Sequence, residues 1–171
     1  MEITTEWIRA GVEGTTVDGR TLSRVVLEQM AKNYSQSVYN ARVWQEHLRG
    51  LTGDSIFKPL GDVVAAKVET VTGGILGGKL GFYVKIAPHP DLITYVPNGQ
   101  KIHLSVEIDT DFSDTGEAYL VGLGVTDSPA SLGTEVMKFS VTDRGSHLFS
   151  TPIDAEYIGD DKSQNKTIEF C

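Results

Sequence analysis

Ser105 is a residue whose type and setting could perform chemistry. It lies in the segment from Lys101 to Asp109, where polar and apolar residues alternate. The alternation predicts a strand with its apolar residues on one face and with His103, Ser105 and Glu107 on the other. A serine on a rigid element beside a cleft can act as a nucleophile when a base lies next to it. A half-exposed strand with ordinary polar residues explains the same pattern, so Ser105 alone does not define a site.

His47 and Asp18 are the residues that could assist such a serine. His47 ends a predicted strand at the edge of a glycine-containing loop, and a histidine with a pKa near 6.5 can accept and return a proton at neutral pH. A hydrogen-bonded structural histidine is the alternative. Asp18 precedes Gly19, and Asp-Gly is a turn signal that explains Asp18 without any function.

Metal and cofactor chemistry have little support in the sequence. The four histidines, at positions 47, 89, 103 and 147, include no pair three or four residues apart on a predicted helix, and Cys171 is the one cysteine. The chain contains no phosphate-binding glycine loop, no His-Glu-x-x-His motif and no Gly-x-Ser-x-Gly motif. We therefore expect neither a cofactor nor a metal.

The elements that must position these residues are mostly strands. Ser23 is a plausible N-cap of a helix that reaches about Asn33, since apolar residues recur there at helical spacing. A short helical turn opens at Pro88 and Pro90 and ends before Gly99. Apolar or alternating segments predict strands at residues 7–12, 41–48, 62–71, 76–86, 101–109 and 118–125. These elements predict an α/β (α+β) protein with an antiparallel-rich β-barrel surrounded by a few helices.

Composition limits the classes of protein and of partner. The length of 171 residues predicts one domain, here residues 1–140, followed by a polar, partly disordered tail at 141–171. The net charge of −8 argues against direct binding to nucleic acid or to anionic lipid. No stretch of about 18 apolar residues occurs, so no membrane span is expected. A single cysteine excludes an intrachain disulfide and favours a reducing compartment.

Four stretches of the sequence together carry a resemblance to a known family, namely residues 11–14 with 17–20, 46–50, 103–108 and 118–135. The last stretch is long and specific, and the match spans about residues 8–140. These stretches resemble the GpO-type capsid scaffolding proteases of temperate tailed phages. This family is related to herpesvirus assemblins and other prohead proteases, and the resemblance implies a serine peptidase built on a β-barrel ringed by helices.

The resemblance also implies roles for individual residues. The family's catalytic Asp, His and Ser fall on Asp18, His47 and Ser105. Ser105 would attack the scissile carbonyl, His47 would take its proton, and Asp18 would hold the imidazole. Asp127 lies where related proteases place an accessory residue, so it competes with Asp18 for the orienting role. Arg49 is either a helper of His47 or a salt-bridging surface arginine.

Partners and location follow from the same resemblance. It implies an endopeptidase that acts inside the procapsid in the cytoplasm of a bacterial host, with the major capsid protein and its own scaffold region as substrates. A homodimer is possible, and the charged helical scaffold region that follows the protease in this family is not seen before Cys171. The alternative is a non-catalytic assembly module that binds the major capsid protein.

Overall fold

A computed structural model describes residues 3–141 and 148–150. Ten strands and two α-helices lie within these residues, with short 3-10 helices at Val96–Asn98 and Phe112–Asp114. In chain order the elements are β1 (Ile8–Val12), β2 (Gly14–Thr15), β3 (Thr21–Leu22), α1 (Arg24–Asn33), β4 (Arg42–Gln45), β5 (Gly61–Thr70), β6 (Leu80–Pro88), α2 (Pro90–Tyr95), β7 (His103–Asp109), β8 (Tyr119–Thr126), β9 (Phe139–Val141) and β10 (Leu148–Ser150).

Six of the strands form one mixed sheet that nearly closes into a barrel. Its order is β1-β6-β5-β4-β8-β7, and the neighbours are antiparallel except for the parallel pair β4 and β8. Residues 135–137 bridge the two edge strands, since Glu135 N donates to Arg9 O at 2.9 Å and Met137 N to Ile102 O at 2.7 Å. The predicted α+β barrel with a few helices is confirmed.

The core fills the inside of this barrel, and alternation along the strands decides which residues enter it. On β8, Leu123 and Val125 are fully buried in the core, whereas the intervening Gly122, Gly124 and Thr126 belong to the outer face. Leu104 of β7 is likewise fully buried, so its polar neighbours lie outside. The outer face of β7 and β8 is therefore available for polar chemistry.

Helix α1 forms where its sequence predicts. Ser23 is the N-cap and its hydroxyl accepts a hydrogen bond from Val26 N at 3.2 Å, which satisfies one of the free amides of the first turn. The helix buries Leu27 and Met30 against the sheet. The predicted helix from Ser23 to about Asn33 is confirmed.

Two predicted strand boundaries are wrong. β4 was expected to reach Leu48 but ends at Gln45, because a turn begins at Glu46. β6 was expected from Leu76 but starts at Leu80, because residues 76–79 form turns in which Gly77 N bonds to Gly74 O and Gly78 N to Val71 O.

The region predicted as a polar tail is described only in part. Within it, Leu148–Ser150 pairs antiparallel with Phe139–Val141. Residues 142–147 and 151–171 lie outside the described residues, and the partly disordered tail stays a prediction. Among the described residues, no helix is long and apolar enough to cross a membrane.

Candidate active site

Glu107 and His47 form the centre of the candidate site. His47 Nδ1 and Glu107 Oε1 lie 2.7 Å apart, and Arg49 Nη2 lies 2.5 Å from Glu107 Oε2. The carboxylate accepts from both neighbours, so Nδ1 carries the proton. In the neutral ring the remaining nitrogen, Nε2, is then the proton acceptor, which is the form of histidine that a general base requires.

The surroundings of Glu107 keep it ionised. Burial raises its pKa, but the hydrogen bonds from His47 and Arg49 outweigh burial and hold the pKa below the ordinary value of 4.5. Arg49 is fixed in turn, because its guanidinium lies 4.9 Å from the centre of the Trp44 ring. The arginine expected to be either a helper or a surface ion pair is thus ion-paired with the carboxylate that holds His47.

A tight turn after β4 directs His47 towards the sheet. Glu46 and His47 both have positive φ, at 50° and 62°, and Leu48 N donates to Gln45 O at 2.9 Å. Two successive left-handed residues are typical of a type I′ turn, which normally uses asparagine and glycine. The Glu46 side chain anchors the turn by accepting from Lys101 Nζ at 2.9 Å and from Thr126 Oγ1 at 3.0 Å.

Two glycines of β8 make room for these side chains. A Cβ added at Gly124 would lie 2.5 Å from His47 Cε1 and 2.7 Å from Nε2, and one added at Gly122 would overlap the Glu107 carboxylate. Glycine inside a strand often marks such a close approach. The His47 ring and the Glu107 carboxylate therefore occupy the space that β8 side chains would fill.

Ser105 is brought to His47 by strand pairing. It is directly opposite Gly124 in the antiparallel pair of β7 and β8, and Glu107 is opposite Gly122. Opposed residues have their Cβ positions about 4.5–5.5 Å apart on the same face, and the His47 ring fills the Cβ position of Gly124. Ser105 is partly exposed beside that ring. No hydrogen bond joins Ser105 to His47 within the described residues.

Neither Asp18 nor Asp127 bonds to His47 in this arrangement. Asp18 accepts from Thr16 Oγ1 and from Arg20 Nε, the latter at 2.9 Å, and these bonds, that from Arg20 first, lower its pKa to about 2. Asp127 accepts from Lys101 N at 2.6 Å and from Lys101 Nζ at 2.9 Å. The structure thus brings His47 and Ser105 together and places Glu107 on Nδ1, where the resemblance led us to expect Asp18.

The contact of Glu107 with His47 was not predicted from the sequence. The alternation placed Glu107 on the face of Ser105, but nothing in its own segment linked it to His47, which lies 60 positions earlier. A signal was present in β8, where Gly122 and Gly124 alternate inside an otherwise apolar strand. Across the described residues, no group of three or more His, Cys, Asp or Glu side chains could hold a metal ion.

Comparisons with known proteins identify the class to which this barrel and site belong. Residues 5–142 match the family described as GPO serine peptidase, N-terminal domain. The chain belongs to this family, which confirms the resemblance drawn from the sequence.

A particular relative is the capsid assembly scaffolding protein of Escherichia phage P2. It is 46% identical over 138 residues, which cover 80% of this chain and 49% of the relative. The chain therefore spans about half the length of the curated relative it matches. No solved structure matches the chain.

Proposed function

We propose that the chain is a serine endopeptidase of phage capsid assembly, with Ser105 as nucleophile and His47 as general base. The observation that carries the proposal is the position of the His47 ring, which is held by Glu107 at 2.7 Å and lies over Gly124, the strand partner of Ser105. Membership of a family described as a serine peptidase supports this reaction class over other hydrolases.

In the first half-reaction, Ser105 Oγ attacks the carbonyl carbon of the scissile peptide bond. The serine proton moves to His47 Nε2, and the imidazolium is stabilised by the Glu107 carboxylate. The tetrahedral intermediate collapses, the C–N bond breaks, and His47 gives the proton to the leaving amine. Catalytic hydrogen bonds in an unliganded site are often long, so we expect the Ser105 to His47 hydrogen bond to form when substrate closes the site.

In the second half-reaction, water hydrolyses the acyl-enzyme. His47 Nε2 takes a proton from the water as its oxygen attacks the ester carbon, then returns it to Ser105 Oγ as the ester bond breaks. The products are a free carboxylate and the regenerated serine. Glu107 keeps its charge throughout and holds Nδ1–H, which fixes the tautomer that both steps use.

The substrates proposed are those that the resemblance implies. The chain would cleave its own scaffold region and capsid proteins, the major capsid protein among them, inside the procapsid in the host cytoplasm. The P2 relative is named a capsid assembly scaffolding protein, which supports a capsid-assembly setting. A homodimer remains a prediction.

The name of that relative also favours a second candidate, a capsid-assembly module that binds the major capsid protein without cleaving it. In this function the barrel is a binding platform, and Glu107, His47 and Arg49 are a structural cluster. The two candidates differ in whether Ser105 reacts as a nucleophile.

The deciding experiment compares the full chain with its Ser105→Ala variant. Cleavage of the chain itself and of co-produced major capsid protein is followed on gels, and labelling by a fluorophosphonate is located by mass spectrometry. We expect Ser105→Ala to abolish both. Ser37→Ala, at an exposed serine whose hydroxyl bonds only to Ser35 Oγ within the described residues, is the matched control and should change neither.

Unchanged cleavage by Ser105→Ala would overturn the proposed mechanism. An unlabelled Ser105, together with capsid-protein binding that survives Ser105→Ala and His47→Ala, would favour the non-catalytic module.

A further inference from the structure

A groove of about 550 Å³ reaches β7 at His103, two positions before Ser105. Its walls are the loop at residues 71–76 and the segment at residues 129–134, and Arg9 and His103 contribute to its lining. We propose that this groove binds an apolar side chain of the peptide substrate. The proposal rests on the proposed function and adds to it the chemical class of residue recognised within two or three positions of the cleaved bond.

The position of His103 links the groove to Ser105. The two residues are separated by one position on β7, and both pair with β8 in an uninterrupted register, His103 with Thr126 and Ser105 with Gly124. Their side chains thus share one face, about 6–7 Å apart along the strand. An extended peptide has a similar rise per residue, so a side chain within two or three positions of the scissile bond reaches the groove.

Apolar side chains dominate the groove and set its chemistry. Ile75 is 86% exposed and Leu132 is 49% exposed, so two large apolar side chains lie open to water at its walls. Burial of a substrate side chain against them removes apolar surface from water on both partners. The other apolar residues of the lining are Val71, Leu76 and Pro129.

The charged and titratable side chains of the lining, Arg9 and His103, are already engaged within the protein, whereas the small Ser131 hydroxyl is buried without a hydrogen-bond partner among the described residues. Arg9 is 5% exposed and its Nε donates to Gly133 O at 2.6 Å. His103 Nδ1 lies 3.0 Å from Thr134 Oγ1, and burial, opposed in part by Asp127, lowers the His103 pKa and favours the neutral ring. A charged substrate side chain would lose its hydration here without gaining a free counter-charge, which favours an apolar residue.

The two walls hold each other in place. Leu76 Cδ1 lies 2.7 Å from the position that a Cβ at Gly133 would occupy, and Gly133 has a φ of +68°. The glycine thus permits the turn of the 129–134 segment and lets Leu76 pack against it. The groove is formed before substrate binds, which lowers the entropic cost of binding.

The test compares two fluorophosphonates that differ only in an ethyl or an octyl group on phosphorus. Ser105 Oγ displaces fluoride, an O–P bond forms, and the serine proton leaves through His47. We expect octyl to label the native chain at least about tenfold faster, since each buried methylene favours binding by about fourfold. Ile75→Asp and Leu132→Asp should each remove most of this advantage, measured as the ratio of the octyl rate to the ethyl rate of the same variant.

Val25→Asp is the matched control. Val25 is 58% exposed and lies in the first turn of α1, where an acidic residue is tolerated, so both rates should stay at their native values. The ethyl rate reports an intact site in every variant.

Equal ethyl and octyl rates in the native chain would overturn the proposal, as would an octyl advantage that persists in both groove variants. A native chain that reacts with neither reagent would instead refute the proposed function, and this inference with it.

Discussion

At the scale of single residues, the site depends on two glycines of β8, which have no side chains. The His47 ring occupies the space that a side chain at Gly124 would fill, and the Glu107 carboxylate occupies the space that a side chain at Gly122 would fill. Across the strand pair, Gly124 is opposite Ser105 and Gly122 is opposite Glu107. Glycine weakens a strand interior, so we interpret its use at two alternating positions as the cost of placing a histidine and a carboxylate against the sheet.

Gly124→Ala should therefore impair the site more than the fold. The added methyl would lie 2.5 Å from His47 Cε1, which forces the ring away from Ser105. A displacement of about 1 Å can cost roughly 10²-fold in rate, and we expect a loss of that order in fluorophosphonate labelling of Ser105. Gly53→Ala, where an added Cβ meets nothing within 4 Å, should leave the rate unchanged. Native labelling by Gly124→Ala would contradict this account of the site.

Glu107→Gln tests which carboxylate orients His47. Glutamine keeps the shape of the side chain but loses its charge, so the imidazolium is no longer stabilised and Arg49 loses its ion pair. We expect turnover to fall by about 10²–10⁴-fold, measured by peptide cleavage or by Ser105 labelling. Retention of native turnover would show that Glu107 is not the orienting group.

Asp18→Asn and Asp127→Asn complete that comparison. Their carboxylates bond to Arg20 and Lys101 respectively, so the observed geometry predicts near-native turnover for both. The family resemblance predicts instead a large loss for Asp18→Asn. A loss there with Glu107→Gln unaffected would return the orienting role to Asp18.

At the scale of elements, the turn that ends β4 is the feature that places His47. Glu46 and His47 both occupy the left-handed region, which costs about 1–3 kcal/mol for each residue that is not glycine or asparagine. Lys101 and Thr126 hold the Glu46 side chain and so help to offset this cost. The strained turn and its anchors lie beside the reactive face.

Lys101→Met should loosen this turn. The change removes the ion pairs of Nζ with Glu46 and Asp127, both at 2.9 Å, and pairs at this exposure together contribute about 0.5–2 kcal/mol. We expect a loss of that size in the free energy of unfolding by urea and slower labelling of Ser105. Lys32 lies on α1, and Lys32→Met, which removes its ion pair with Glu117, should cost less stability and leave labelling at its native rate. Unchanged labelling by Lys101→Met would show that the turn is rigid without this anchor.

Some elements could be predicted from the sequence and others could not. The helix from Ser23 was predictable because its cap and its apolar spacing are local signals. The early end of β4 was not, since Glu-His lacks the asparagine or glycine that usually marks such a turn. The contact of Glu107 with His47 depends on the register between β7 and β8 and on a turn 60 positions away. The residues around Glu107 predict neither of these features.

At the scale of the whole molecule, the barrel brings together residues from distant parts of the chain. His47 follows β4, Ser105 and Glu107 belong to β7, and β8 lies between these two strands in the sheet. The parallel pairing of β4 with β8 and the antiparallel pairing of β7 with β8 both have to form before the site exists. Acid that weakens the ion pairs across these strands should therefore affect stability and site together.

We expect stability to fall as the pH is lowered from 7 to 3, in two stages. Burial, opposed in part by Asp127, lowers the pKa of His103 below 6.5, so the unfolded chain takes up a proton first and stability begins to fall below about that pH. Glu107 has a pKa below 4.5 because its hydrogen bonds outweigh its burial, so its contribution is fully present above 4.5 and is lost as the pH falls through the folded value.

Urea unfolding at a series of pH values measures both stages. Glu107→Gln should flatten the acid stage below pH 4.5, and His103→Gln should flatten the earlier one, because each removes the group whose proton uptake differs between the two states. Asp18, with a pKa of about 2 against an ordinary 3.8, extends the acid stage to still lower pH, and Asp18→Asn should shorten it there. A free energy of unfolding that is constant or rises between pH 7 and pH 3 would contradict these assignments, because every one of the shifts gives the unfolded chain the higher affinity for protons.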